Sequence, residues 1–303
     1  EPNEIWRRNN GLMGQDAEAL AREAATRLAR RTTGAVVGVI NGVDEAVAGA
    51  GHTRLPNTGP PTTNTLLDIG SITKVFTCLA VAEQVLSGDL ALDTEVGRVI
   101  PQLRDVPITV EQLCTHTSGL PRSPIGMLAE LRHNDPYSAI TAQQVIATAA
   151  SARLRQPGRL RYSNLGVSLL ALVAQAVADV HDYDSLVSPL LSDLGMPSTT
   201  AALTAPDLAR LATGYSLRGK EVPDWNLTGM AGCGALRSTA TDMLTFLRAQ
   251  LAVTTPAIEV SQRIRFHKGR NRVALGWFIM DSAEGPTYWH NGATGGYRCF
   301  AAF

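Results

Sequence analysis

Lysine is what this chain has least of. Of its 27 basic residues only Lys74, Lys220 and Lys268 are lysine, and the other 24 are arginine. A lysine kept in that background is a candidate for work arginine cannot do, because an amine can be neutral at working pH and a guanidinium cannot. Basic and acidic residues balance at 27 each, which leaves no electrostatic footprint for nucleic acid or an anionic membrane. The most apolar stretch, residues 165–180, is interrupted by Ser168, Gln175 and Asp179, so no segment reads as transmembrane. The four cysteines, Cys78, Cys114, Cys233 and Cys299, have the spacing of neither a zinc ribbon nor a C-x-x-C redox pair, and disulfide pairing is not legible from them. Six scattered histidines without H-E-x-x-H predict no metal and no cofactor. A G-x-S-x-G elbow is missing, which argues against the α/β-hydrolase route to ester chemistry. Residues 214–220 match the start of a phosphate-binding loop, but Glu221 stands where a hydroxyl would hold Mg²⁺, and the flanks read as a hairpin.

What is present describes a globular protein: 303 residues, 45% hydrophobic and 18% charged, enough for one large or two moderate domains. Residues 16–31 form an Ala/Arg/Glu amphipathic pattern that predicts a helix. Residues 35–40 predict a strand, Asn41-Gly42 a two-residue turn, and 43–50 the returning strand. From Ser71 to about Met196 the pattern is mostly helical. A helix is predicted near 240–251, then strands over 274–280 and 287–303. Strands at both ends around a helical middle imply an α/β sheet domain with a helical domain inserted.

The chemistry begins at Ser71-Ile72-Thr73-Lys74. An apolar run from Val75 to Ser87, stopped by Gly88, predicts a buried helix opening at Ser71. Residues three apart share a helix face, so the Ser71 hydroxyl and the Lys74 amine can meet. A Ser at an N-cap ordinarily has Glu or Gln three residues on, and a cation in the first turn opposes the helix dipole. That local conflict points to function rather than to stability. Two later patterns join it. Tyr162-Ser163-Asn164 follows the Pro157-Gly158 turn, and His290-Asn291-Gly292 lies on a late strand ahead of Ala293-Thr294-Gly295-Gly296.

S-x-x-K, Y-x-N and H-x-G, in this order, resemble the penicillin-recognising serine hydrolases: class C β-lactamases, D-Ala-D-Ala peptidases and related esterases. Residues 108–120 (ITVEQLCTHTSGL), 194–196 (LGM) and 234–243 (GALRSTATDM) also look like segments of that superfamily, so the resemblance covers almost the whole chain. It implies a β-lactamase/transpeptidase-like fold, an antiparallel sheet flanked by helices with an inserted, mostly helical domain. The sheet domain would comprise 1–69 plus 215–303, and the helical domain 70–214. It implies that Ser71 attacks a carbonyl and is acylated, that Lys74 takes the hydroxyl proton, and that Tyr162 relays it to the leaving group. Asn164 would hold Lys74 and the substrate amide, and His290 would donate a hydrogen bond across the pocket from the motif it shares with Gly292. The backbone N–H groups of Ser71 and Ala293 would form the oxyanion hole. His116 reads as structural.

Departures bear on substrate. His290 stands where a Lys would give a fixed positive charge, and Ala293 lacks a hydroxyl that many relatives offer there. Both weaken recognition of a free carboxylate, with Arg298 a candidate to compensate. The expected partner is a small-molecule or peptide substrate with a reactive carbonyl, with a carboxylesterase or a catalytically silent binding member as alternatives. An exported bacterial protein is expected. The chain runs only 13 residues past His290, so Tyr297, Phe300 and Phe303 are expected on an open apolar sheet edge that further chain, or a second copy, would cover.

Overall fold

The structure, a computed structural model, describes residues 16–56, 58–124, 135–216, 218–283 and 285–303. The first fifteen residues assigned above to the sheet domain, and Leu217 of the phosphate-loop-like run, lie outside the described residues.

Asp16 opens helix α1 (Ala17–Ala29) by accepting a hydrogen bond from the Glu18 N–H, and the helix buries Ala17, Ala21 and Ala25. This stripe of small side chains at helical spacing lets α1 lie close on the hairpin of β1 (Gly34–Asn41) and β2 (Asp44–Gly51). Asn41 pairs with Asp44, so the tip is Gly42-Val43 and not Asn41-Gly42. Gly42 has φ 63° while Val43 stays at negative φ; glycine at the first central position is what a type II′ turn takes.

β3 (Leu67–Asp68) pairs with β4 (Arg237–Ser238) and brings the Ser71 segment to the end of a helical bundle. In that bundle α2 (Thr73–Ser87) is buried from Thr73 through Ala82 and ends at Gly88 with φ 85°. α3 (Val110–Cys114) and α4 (Ala142–Ser151) pack on α5 (Asn164–Ala178), which packs on α2 together with α6 (Tyr183–Asp193); α7 (Ala205–Arg210) follows and buries no residue. Thr109–Gln112, Thr141–Gln144 and Thr204–Asp207 form reciprocal caps at the starts of α3, α4 and α7. α8 (Ala240–Ala252) returns beside β1, and α9 (Pro256–Gln262) crosses α2.

The last five strands form one antiparallel sheet in sequence order: β5 (Phe266–Lys268), β6 (Asn271–Val273), β7 (Phe278–Ser282), β8 (Gly285–Ala293) and β9 (Arg298–Ala302). The strand expected over 274–280 is broken at Leu275-Gly276. There the chain dips toward α2, with Leu275 N–H donating to Ser261 O and Gly276 N–H to Cys114 O. Gly276 has φ 78°, and a Cβ on it would lie 3.1 Å from Val75 Cα. The strand expected over 287–303 is likewise two strands, separated by a turn at 294–297.

Aromatic stacking ties the sheet to the helices: Phe76 on Phe246 at 4.3 Å, Phe246 on Trp277 at 6.1 Å, and Phe303 edge-on to Trp277 at 5.2 Å. Among the described residues β9 pairs with β8 alone and is an edge strand as expected, but the placing of its aromatics needs correction. Tyr297 is buried with its hydroxyl donating to Ala212 O, Phe303 stacks on Tyr288, and of the three only Phe300, at 48%, is exposed. Arg298 turns back, donating to the carbonyls of Thr294 and Tyr297. The four cysteines are free thiols; the neighbouring Cys78 thiol, then burial, raise the pKa of Cys114 well above the usual value. Among the described residues no single helix is long and apolar enough to cross a membrane, and no group of His, Cys, Asp or Glu could hold a metal.

Candidate active site

Ser71 sits in a single 3₁₀ turn, Gly70–Ile72, ahead of α2, and is not its N-cap; Ile72 takes that position with no side-chain cap. The cause lies outside the helix. Gly70 has φ 48°, and a Cβ on it would stand 2.7 Å from Ala293 N. Opposite, a Cβ on Gly292 would stand 2.1 Å from Ile69 O and 2.4 Å from Cys299 Sγ. Two facing glycines thus let the end of β8 press against the Ser71 turn, which brings the Ser71 and Ala293 backbones to one place. Gly292→Ala is expected to cost on the order of 1–3 kcal/mol of stability and, by displacing the strand, roughly 10²-fold in kcat/KM. A thermal melt and turnover assay check this; unchanged values for both would show that the close approach is not needed.

Lys74 is fully buried, at 0% exposure. Its Nζ lies 2.9 Å from Ser71 Oγ and donates to Cys233 O at 2.6 Å. The Tyr162 ring covers it, with Nζ 5.0 Å from the ring centroid. The Tyr162 hydroxyl makes no hydrogen bond to a described residue, so the resting site holds Ser71 and Lys74 in contact and Tyr162 beside them. Asn164 differs from expectation. Its Nδ2 donates to the Tyr137 hydroxyl at 3.2 Å, and its Oδ1 is buried without a partner, so it does not hold Lys74. The Cys233 carbonyl does that instead.

Two imidazoles flank Tyr162, His116 at 4.5 Å and His290 at 6.3 Å between ring centroids. His290 Nδ1 is 2.7 Å from Asn291 O. A carbonyl only accepts, so Nδ1 carries the proton. Burial, and then the charge of Lys74, push the His290 pKa down to about 3. The imidazole is therefore neutral, and its unpartnered, buried Nε2 is an acceptor. This corrects the expectation of a hydrogen-bond donor that is partly charged near neutrality. His116 has the opposite tautomer: Nδ1 accepts from the Ser163 N–H at 3.3 Å, which leaves the proton on its unpartnered Nε2. Burial, then the charge of Lys74, hold it well below the usual histidine value.

The unfolded chain therefore binds protons that these two native histidines refuse, and native stability falls as pH drops below the unfolded value of about 6.5. Each is expected to contribute a slope of up to about 1.4 kcal/mol per pH unit between that value and its folded one. Melting temperatures from pH 7 to 4.5 should fall, and less steeply in His116→Gln; parallel curves would contradict this.

Other site-shaping residues were not singled out from the sequence. Asp68, three residues before Ser71, pairs with Arg237 at 2.9 Å and accepts from the Thr294 hydroxyl at 2.9 Å, tying β3, which leads into the Ser71 turn, to the turn after β8. Burial raises its carboxyl pKa against the pull of Arg237. Thr73 Oγ1 accepts from the Leu236 N–H and fixes the segment that presents the Cys233 carbonyl. A backbone carbonyl has no signature in sequence. His116 does: it opens the H-T-S-G-L run.

Known proteins share the family and the fold of this chain. The profile of the beta-lactamase family matches residues 18–303. The D-alanyl-D-alanine-carboxypeptidase/endopeptidase AmpH of Escherichia coli strain K12 is 29% identical over 279 residues, 84% of this chain and 71% of AmpH. A beta-lactamase of Lysobacter lactamgenus is 24% identical over 78% of this chain and 60% of its own length. Among solved structures, a class C beta-lactamase from Rhodobacter sphaeroides superposes with a TM-score of 0.82 at 24% identity, covering 95% of this chain and 90% of that one.

Proposed function

The chain belongs to the beta-lactamase family of serine hydrolases, and from that premise we propose that it opens amide or β-lactam carbonyls through an acyl-enzyme on Ser71. The observation that carries the reading is the buried Lys74 amine 2.9 Å from Ser71 Oγ. Once the Lys74 amine has shed its proton, it keeps an N–H on Cys233 O and turns its lone pair to the serine hydroxyl. As Oγ attacks, its proton passes to Lys74, and the oxyanion forms toward the backbone N–H groups of Ser71 and Ala293. Tyr162, over the amine, relays the proton to the leaving nitrogen as the C–N bond breaks. In the second half a water adds to the ester, its proton travels back along the same groups, and Ser71 leaves protonated. Asn164 Oδ1, buried and unpaired, is an acceptor for a substrate amide N–H.

One observation favours ester carbonyls as a second reading. The neutral His290 offers no fixed positive charge on the β8 side of the site, so a free carboxylate has no counter-ion there. Turnover of a chromogenic β-lactam, an acyl-D-Ala-D-Ala peptide and a p-nitrophenyl ester, by wild type and Tyr162→Phe, tests the proposal. Saturable hydrolysis of the first or second, lowered roughly 10²-fold in Tyr162→Phe, is expected. Hydrolysis of the ester alone favours the second reading, and none at all favours a silent binding member. The reading also carries the expectation of export from a bacterial cell.

A further inference from the structure

The second motif is reached through an arginine arm. Between Asp135 and Asp179 the chain has no acidic residue, yet residues 153–161 read R-L-R-Q-P-G-R-L-R. The arm leaves α4, turns at Gln156 (φ 52°) and Gly158 (φ 80°), and returns into Tyr162. Its backbone is pinned to the loop that carries His116: Arg155 N–H donates to Gly119 O, Gly158 N–H to Thr117 O and Arg161 N–H to His116 O, each at 2.8 Å. Gly119, at φ 80°, is closely overlaid, since a Cβ on it would meet Arg155 O at 3.0 Å. Leu154 and Leu160 turn half inward while Arg153, Arg155, Arg159 and Arg161 are exposed.

None of these four arginines has a carboxylate partner among the described residues, whereas Arg210, Arg237 and Arg248 are each paired. Arg153, Arg155 and Arg161, with Arg122, line an open cleft of about 480 Å³. The cleft adjoins the catalytic side of the molecule, because Arg122 lies over the Tyr162 ring, its guanidinium carbon 5.4 Å from the centroid. The Thr148 and Ser151 hydroxyls in the lining donate back to their own helix, to Gln144 O and Ala147 O. The guanidinium groups of Arg153, Arg155 and Arg161 therefore supply side-chain donors and positive charge to the cleft. Like charges held together on a fixed backbone stabilise nothing by themselves, and the planar guanidinium fork matches carboxylate and phosphate oxygens.

We propose that this arm is an anion subsite beside Tyr162, which takes a carboxylate- or phosphate-bearing part of the substrate whose carbonyl is presented to Ser71. Substrate charge is thus read on the Tyr162 side of the site, and not by the neutral His290. The role of this anion in turnover rests on the proposed function; its binding does not.

Calorimetric titration of the Ser71→Ala protein, in which turnover is blocked, therefore tests binding alone. Tripolyphosphate and tricarballylate are the probes, at low ionic strength, against the same protein carrying Arg153→Gln and Arg155→Gln. Saturable binding of one probe per chain is expected, weakened about tenfold by the two substitutions together and further by added salt. The tighter probe tells phosphate from carboxylate. No saturable binding of either probe, or binding indifferent to the substitutions, overturns the proposal. If the double variant does not fold, Arg155→Gln alone is held to the same criterion with a smaller loss. In the active enzyme the same pair should raise KM about tenfold for a p-nitrophenyl ester ending in a carboxylate and leave its methyl-capped form unchanged; equal effects on both overturn it. Failure to hydrolyse either ester counts against the Ser71 reading and leaves the calorimetric result to decide the arm.

Discussion

Ser71→Ala should leave a folded protein that transfers no acyl group, with kcat/KM lower by roughly 10⁴–10⁶-fold. The argument is geometric. Ser71 Oγ is the hydroxyl in contact with the buried amine, and its turn is pressed by Gly70 against the Ala293 backbone. Stability should barely change. Ser71 caps no helix end, and Lys74 keeps its bond to Cys233 O. A melting curve beside the turnover assay separates the two effects. Turnover surviving in a preparation of controlled purity would remove Ser71 as the nucleophile.

Lys74→Arg should be nearly as inactive, down about 10²–10⁴-fold, because a guanidinium cannot accept the serine proton at working pH. It also forces a larger head group into a fully buried space, so a companion variant is needed. Lys74→Met keeps the volume and removes the charge. Burying an amine is costly even with good partners, so Lys74→Met should lose the same activity and melt at or above the wild-type temperature. Retained activity in either variant would remove Lys74 as the base. A Met variant far less stable than wild type would assign the lysine a structural role.

The residues legible in the sequence are those whose message is local. Ser71 and Lys74 announce themselves through an i,i+3 spacing at the head of an apolar helix, and the scarcity of lysine sharpens the signal. The pairing of β1 with β2 and the burial of α2 follow from periodicity in the same way. What misled was set by distant contacts. Ser71 reads as an N-cap because the segment is judged as a helix start, whereas the approach of β8 onto Gly70 makes it a 3₁₀ turn. The resemblance makes Asn164 the partner of Lys74, but Tyr137, 27 residues away, takes its amide, and Cys233, 159 residues from Lys74, supplies the oxygen. The charge of His290 could not be read at all, since burial and the neighbouring Lys74 decide it. Strand 274–280 broke where Gly276 had to clear Val75, a constraint that periodicity does not carry.

The most direct test of the central claim is the intact-protein mass after incubation with a penicillin, on wild type and Ser71→Ala in parallel. The account predicts an added mass equal to one penicillin on the wild type alone, or wild-type-only consumption of the penicillin where deacylation is fast. The same adduct on Ser71→Ala, or neither adduct nor consumption with wild type, would contradict it.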